Sequence, residues 1–314
     1  MINKAAVRKP FQFLMKMWEH YPKLWKGLID FGILMKYRTL DISKLPDKIV
    51  LPSSTVLFVD AKENRGRALL IRGGVTQKRL LSFWQHAVET VKPDYIIDIG
   101  VNYGECIFSV IYPKHTKIYG IEANRNLLTY ISQSRDAHPN HSQIRIVHAF
   151  ASDSDGEDKL FFIDNHWSGT SSASYMPAHQ MVDEVSIKTI TVDSLFKNGM
   201  ENGTVLFKVD VEGYEAFVLK GMKQIFENSR SVLGFIEFNS EYFEKSGVDP
   251  NHFFEYLNQY FTIYIYKEND DIVKVKSLKI EKLHEMFGSH YVHTDLILAT
   301  DEEMADSLTG IEKS

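Results

Sequence analysis

The chain of 314 residues carries a net charge of -5, with 44% hydrophobic and 25% charged residues. This length buries a full core as one large domain or two small ones, and the composition is that of an ordinary globular protein. The acidic balance excludes a general nucleic-acid binder, the single Cys106 excludes an internal disulfide or a cysteine zinc site, and no apolar run of about 18 residues is present to span a membrane.

The first 45 residues stand apart. Phe11, Leu14, Trp18, Tyr21, Trp25 and Leu28 recur at helical spacing, and Pro22 starts a second helix. Nine Lys or Arg against three acids give this segment a charge of +6. Such a stripe predicts a helical cap on the core or a homo-oligomeric contact; its basic, aromatic-rich character also suits a membrane surface. The start, Met1-Ile2-Asn3-Lys4-Ala5, has no uninterrupted apolar core with a cleavage site, and a reducing, cytoplasmic compartment is expected, membrane-peripheral if the segment is an anchor. Residues 46–92 read as a lead-in: 55–60 and 68–72 form a β-hairpin around Glu63-Asn64-Arg65-Gly66, and 76–91 have helical periodicity that ends before Pro93.

From 93 to 300 strands and helices alternate. Strands at 95–99, 117–122, 144–149, 205–209 and 232–238 predict an α/β domain whose parallel sheet is covered on both faces. Late strands follow at 261–266 and 295–299, with a helix over 279–287 between them and a C-terminal tail from 301. Strands at 159–163 and 186–191 are separated by a polar loop, 165–184, long enough to expect a function. Trp167 beside Ser168-Gly169 offers a stacking face in that loop, which is expected to close over a substrate.

Asp98-Ile99-Gly100-Val101-Asn102-Tyr103-Gly104 follows an apolar strand and leads into a helical pattern over 104–112. Strand, glycine turn and helix open a nucleotide-binding α/β unit. The spacing is not that of a dinucleotide site, because Asn102 and Glu105 stand where two glycines are needed, and a carboxylate at Glu105 would repel a pyrophosphate. An acid at the strand end suits a positively charged ligand, such as the amino-acid end of S-adenosylmethionine. The next strand ends in Glu122, 24 residues on, near the spacing of about 20 residues at which an acid binds ribose hydroxyls. A second rim follows. Lys208-Val209-Asp210-Val211-Glu212-Gly213-Tyr214-Glu215 closes an apolar strand, and Glu237-Phe238-Asn239 ends its neighbour. Ligands of open α/β sheets collect beyond the carboxyl ends of strands, so Asp210 faces the same mouth as Asp98 and Glu122. Glu215 is accounted for by a helix N-terminus. The 12 histidines show no metal-ligand spacing.

In this order, Asp98-x-Gly100-x-Asn102-x-Gly104, Glu122-Ala123, Ala151-Ser152-Asp153-x-Asp155-Gly156, Thr191-Val192-Asp193 and Lys208-x-Asp210-x-Glu212-Gly213 resemble the FkbM family of S-adenosylmethionine-dependent O-methyltransferases. Ser168-Gly169-Thr170-Ser171-Ser172 is similar to a serine-rich loop of that family. The likeness spans roughly residues 93–240. It implies a class I methyltransferase (Rossmann-like) fold, a mostly parallel seven-stranded sheet whose last strand is antiparallel, here with an N-terminal helical extension. It also implies that Asp98, Gly100, Asn102 and Gly104 hold the methionine end of the cofactor. Glu122 with Ala123 would take the ribose, Phe150, Ala151 and Ser152 would border the adenine, and Asp210 would lie close by.

Methylation of a sugar hydroxyl needs a base or a metal to take the proton. Asp210 is the first choice, with Glu212 and Glu237 beside it; Asp210, Glu237 and Asn239 are a candidate Mg²⁺ set. His166, His179, His290 and His293 are alternative bases. The expected acceptor is a sugar of a bacterial surface glycan or glycolipid. The alternatives are a small secondary metabolite or, in another class, a non-catalytic binding protein on the same fold.

Overall fold

The computed structural model describes residues 21–173, 182–196, 202–267 and 270–310. Phe11, Leu14, Trp18 and His179 lie outside these residues.

Helix α1 (Pro22–Tyr37) is apolar on two opposite sides. Ile29 and Ile33 are buried in the core, and Asp30 pairs with Arg67 of the helix beneath. Leu24, Leu28, Phe31 and Met35, spaced along the other side, are 45–61% exposed. A hairpin does follow, but earlier than expected: β1 (Lys48–Val50) pairs antiparallel with β2 (Val56–Phe58). Residues 68–72, expected as a hairpin strand, belong instead to α2 (Asn64–Arg72). The reason is local. Glu63 caps this helix, its carboxylate accepting the N–H groups of Arg65 and Gly66 at 2.9 Å each. Gly66 serves close approach rather than a turn, since a Cβ there would lie 2.2 Å from the Asp60 carbonyl oxygen. Helix α3 (Lys78–Val91) completes the lead-in.

The sheet strands are β3 (Tyr95–Ile99), β4 (Lys117–Glu122), β5 (Ile144–His148), β9 (Thr204–Val209), β10 (Ser231–Asn239), β11 (Thr262–Tyr266), β12 (Ile272–Val275) and β13 (His293–Ala299). Their order is β12-β11-β13-β10-β9-β3-β4-β5. β5, β4, β3, β9 and β10 run parallel, and β13 enters antiparallel between β10 and β11. The expected seven strands are therefore present, and β12 adds an eighth at the edge. A side sheet, β6-β8-β7, is built from β6 (Phe150–Ala151), β7 (Asp158–Asp164) and β8 (Val182–Ile190). Helices α4 (Leu128–Asp136), α5 (Glu215–Lys220), α6 (Lys223–Asn228), α7 (Ser240–Ser246), α8 (Pro250–Tyr260), α9 (Ile280–Phe287) and α10 (Glu302–Thr309) fill the connections.

Every residue of β3 and β9 is buried, and their side chains alternate between two cores. Ile97, Ile99, Phe207 and Val209 join one core with α5, α6 and α8. Ile96 and Leu206 join the other, with Leu57, Leu69, Leu70, Phe83 and Trp84 of the lead-in. The lead-in thus covers one face of the sheet.

The helix expected over 104–112 does not form; the chain makes separate turns there. Gly104 adopts φ +87, which is not helical backbone, and side chains both from outside the segment and within it take its carbonyls. Thr55 bonds the Phe108 carbonyl at 2.6 Å, Tyr112 Oη bonds that of Ile107 at 2.7 Å, and Ser109 bonds that of Cys106 at 2.7 Å. Cys106 is buried in the core, as a packing residue would be.

Candidate active site

Beyond the carboxyl ends of β3, β4 and β9 lies a cleft of about 1200 Å³, including its open mouth. At one end it is walled by Ala149, Phe150, Ala151 and Phe161; Glu122 and Ala123 line its middle. The glycine turn with Glu105, Arg65, Gln77 and Lys208 forms the far end, and Asp210, Glu212 and Glu237 form a rim.

Left-handed backbone shapes the turn: Gly100 has φ +77 and Asn102 φ +52. Asparagine tolerates this region better than most side chains, which accounts for Asn102 at a position where glycine is usual. Gly100 is required for a different reason. A Cβ on it would sit 2.0 Å from the Asp210 carbonyl oxygen, so the glycine lets the β3 and β9 turns touch. Glu122 is buried, and burial raises its pKa. Its two oxygens accept the N–H groups of Asn102 and Asn124, both at 2.7 Å. Each oxygen keeps a second lone pair, enough for a ribose diol.

Several expected residues lie behind the wall rather than on it. Asp98 is fully buried one layer below the turn, where Lys208 Nζ stands 3.3 Å from its Oδ1. Asp98 and Lys208 are register partners on β3 and β9, so their side chains share a face of the sheet. Gly104 abuts Phe108, and Ser152 turns away to Asp153 and Tyr214. These three do not line the cleft.

Lys208 was quoted in the motif but given no role by the sequence. Its Nζ donates to the Gly100 carbonyl at 2.6 Å and lies 3.7 Å from Asp210 Oδ2. Burial alone would lower this ammonium, but Asp98 and Asp210 hold it above its usual pKa. A lysine in the otherwise apolar run Val205-Leu206-Phe207 was the available signal, since a buried cation demands a buried acid.

Asp210, Glu212 and Glu237 each present an oxygen within 4.8 Å of the others. Asp210 also accepts Gln77 Nε2 at 3.2 Å. Glu237 accepts His293 Nε2 at 2.6 Å. Burial would lower His293, yet Glu237 lifts it to about 9, so the ring is a cation at neutral pH and does not serve as the base expected of it. Asn239 is not a ligand here; its Oδ1 caps α7, accepting from Glu241 N at 3.1 Å and Tyr242 N at 3.4 Å. His166 turns to Asn64 at 3.1 Å and His290 meets His284 edge to face, and neither lines the cleft. Glu215 folds back onto Val211 N at 3.1 Å and Gly213 N at 3.3 Å, and burial raises its pKa to about 8. It holds the rim loop in place, which the helix-terminus reading did not foresee.

The described part of the serine-rich loop, up to Ala173, is docked. Ser168 N donates to Glu63 at 2.9 Å, and Ser172 Oγ donates to the Glu212 carbonyl at 3.1 Å. Trp167 lines the cleft between Arg65, 5.8 Å from its ring, and Trp25 of α1, 5.7 Å away edge to face.

Five carboxylates against two cations, Arg65 and Lys208, line the cleft. That balance disfavours a phosphate and favours a cationic sulfonium, and the Glu122 lone pairs fit a ribose. Residues 98–269, more than half of the chain, match the family model described as Methyltransferase FkbM domain. The chain belongs to the FkbM methyltransferase family. It is therefore an S-adenosylmethionine-dependent methyltransferase with the class I fold.

No curated protein matches the chain. Solved structures similar to it include an O-methyltransferase from Bacillus cereus in complex with SAH, at 12% identity and TM-score 0.38, covering 71% of this chain and 81% of that one. TomG, an O-methyltransferase of Streptomyces achromogenes involved in tomaymycin synthesis, gives 12%, 0.38, and 72% and 82% coverage. A precorrin-6y C5,15-methyltransferase from Geobacter metallireducens gives 12%, 0.33, and 68% and 87%. Values this low leave the assignment to the family match.

Proposed function

We propose that this FkbM methyltransferase methylates a hydroxyl of a sugar, with Asp210 as the base. The supporting observation is the carboxylate triad Asp210, Glu212 and Glu237 on the cleft rim. Paired carboxylates accept hydrogen bonds from neighbouring hydroxyls of one ring, and Trp167 offers that ring an apolar face. S-adenosylmethionine brings a methyl group on a sulfonium, which an oxygen nucleophile displaces in line. The protein's part is to align the hydroxyl, exclude water and take the proton. Lys208 Nζ stands 3.7 Å from Asp210 Oδ2 and His293 Nε2 stands 2.6 Å from Glu237 Oε1, so a cationic side chain attends each of these two acids.

Asp210→Asn keeps the shape and removes the base. Turnover on the acceptor found in a screen of nucleotide sugars and glycans should fall about 100-fold or more, while cofactor binding by calorimetry is retained. Undiminished turnover would remove Asp210 from the chemistry. The triad is also a set of hard oxygen donors within 4.8 Å of one another, the donor chemistry a divalent cation such as Mg²⁺ takes. Activity abolished by EDTA and restored by Mg²⁺ would assign the deprotonation to metal instead.

The acceptor is read as lipid-linked, at a cytoplasmic membrane surface. The support is α1, whose open apolar side is carried by a segment of charge +6 on a chain of net -5. An exposed apolar stripe within a basic segment matches an anionic bilayer. No helix among the described residues is long and apolar enough to cross a membrane. A secondary-metabolite acceptor gives no use for this face.

A further inference from the structure

We infer that Arg65, outside the stretch that matches the family, holds the α-carboxylate of the cofactor's methionine arm. This rests on the cofactor reading above and names the cation that reading requires.

With Glu122 at the ribose, the two arms of the cofactor leave in opposite directions. In the strand order β9-β3-β4-β5, Phe150 and Ala151 follow β5 on one side of Glu122, and the Gly100 turn and Lys208 belong to β3 and β9 on the other, where Glu105 joins Arg65 and Gln77. An amino-acid carboxylate entering a cleft lined by five acids needs a cation at the far end. Two are available. Lys208 is committed, with the Gly100 carbonyl at 2.6 Å and carboxylates of Asp98 and Asp210 at 3.3 and 3.7 Å.

Arg65 is not. One N–H meets Glu105 Oε2 at 3.0 Å, and the rest of its five-donor fork has no other hydrogen-bond partner among the described residues. Its side chain is 16% exposed, and that exposure is to the cleft it lines. The guanidinium is held ready. Trp167 lies against it, and Glu105 is itself anchored by Thr76 and, at 2.9 Å, by Gln77 N. The Arg65 backbone is pinned by the Glu63 cap and by the close approach of Gly66 to Asp60. A planar fork with one edge on Glu105 presents the other to a carboxylate, a geometry a lysine does not reproduce.

The test compares two probes that differ only in the arm: S-adenosylhomocysteine has it, and 5′-methylthioadenosine lacks it. Calorimetry is run on the full chain, on Arg65→Met and on Arg65→Lys. S-adenosylhomocysteine should weaken about 10-fold or more with Arg65→Met, and partly with Arg65→Lys. Binding of 5′-methylthioadenosine should be unchanged in both. If both probes weaken equally, Arg65 is merely structural; if neither weakens, the carboxylate lies elsewhere, and each result overturns the assignment. A parent chain that binds neither probe sinks the cofactor reading itself, with Arg65 along with it. Arg65→Lys has the smaller structural effect, so a folding failure of Arg65→Met leaves the comparison intact.

Discussion

Glu215 is the residue where the rim loop meets the pH of the solution. Its carboxyl is buried, one oxygen receives two backbone N–H groups, and burial lifts its folded pKa to about 8, well above the ordinary 4.5 of a glutamate. Between those values the unfolded chain gives up a proton that the folded chain keeps, so stability falls as pH rises from 4.5 to about 8 and levels off above. Glu215→Gln keeps an acceptor oxygen for Val211 and Gly213 and removes the titration. The thermal midpoint of the parent should therefore drop further between about pH 5 and pH 8.5 than that of the variant. Parallel slopes would mean that Glu215 is ionised in the fold. The Asp98–Lys208 pair works differently. It is buried on both sides, and removing either partner strands a charge at a cost of about 3–5 kcal/mol. Its place is structural, tying the Gly100 turn to the strand that carries Asp210.

Among the elements, α1 has the most unusual surroundings. A helix with one apolar stripe finishes its task by capping a core; α1 has a second stripe opposite the first. Trp25 on α1 touches Trp167 in the cleft wall, so whatever α1 lies on is adjacent to the mouth. Leu28→Glu with Phe31→Glu places two charges on the open side without touching Ile29 or Ile33. The parent should bind anionic liposomes in sedimentation, less so as salt is raised, and the double variant should lose that binding while keeping its thermal midpoint. If the variant changes from a dimer to a monomer with liposome binding unaltered, the face belongs to a second copy. A stability loss with no lipid effect would mean that residues 1–20 cover it.

At the scale of the whole molecule, the family match and the folding unit differ in extent. The match begins at residue 98, yet one core of the sheet is completed by Leu57, Leu69, Leu70, Phe83 and Trp84. Cutting away residues 1–92 would bare that face of β3 and β9, a contiguous apolar area far beyond what a monomer exposes. The truncated chain should be insoluble or unfold without a cooperative thermal transition in calorimetry. A soluble truncation with a sharp transition would make the lead-in a dispensable appendage. The same lead-in supplies Arg65 and Gln77 to the cleft, so the site and the core share a boundary.

Much of this protein is legible in the amino-acid sequence because the relevant forces are local or periodic. The alternating apolar runs specified the parallel strands, and the acids at three strand ends, Glu122, Asp210 and Glu237, fell at the mouth because strand ends converge there in any such sheet, while Asp98 was buried beneath it by its pairing with Lys208. The family motif followed the same order. Local signals failed where distant partners decide. The apolar pattern over 104–112 was helical in period, but the distant Thr55 took the Phe108 carbonyl and Gly104 left the helical region of the backbone. Residues 68–72 read as a strand until the Glu63 cap and the face of the sheet claimed them for a helix. Asn239 and His293 looked like ligand and base; a helix terminus occupied the first, and the carboxylate of Glu237 stabilises the cationic form of the second. Arg65 was invisible, because a cation's role depends on which acids surround it and which donors remain, and only the tertiary structure sets Glu105 and Trp167 against Arg65 while committing Lys208 to Gly100, Asp98 and Asp210.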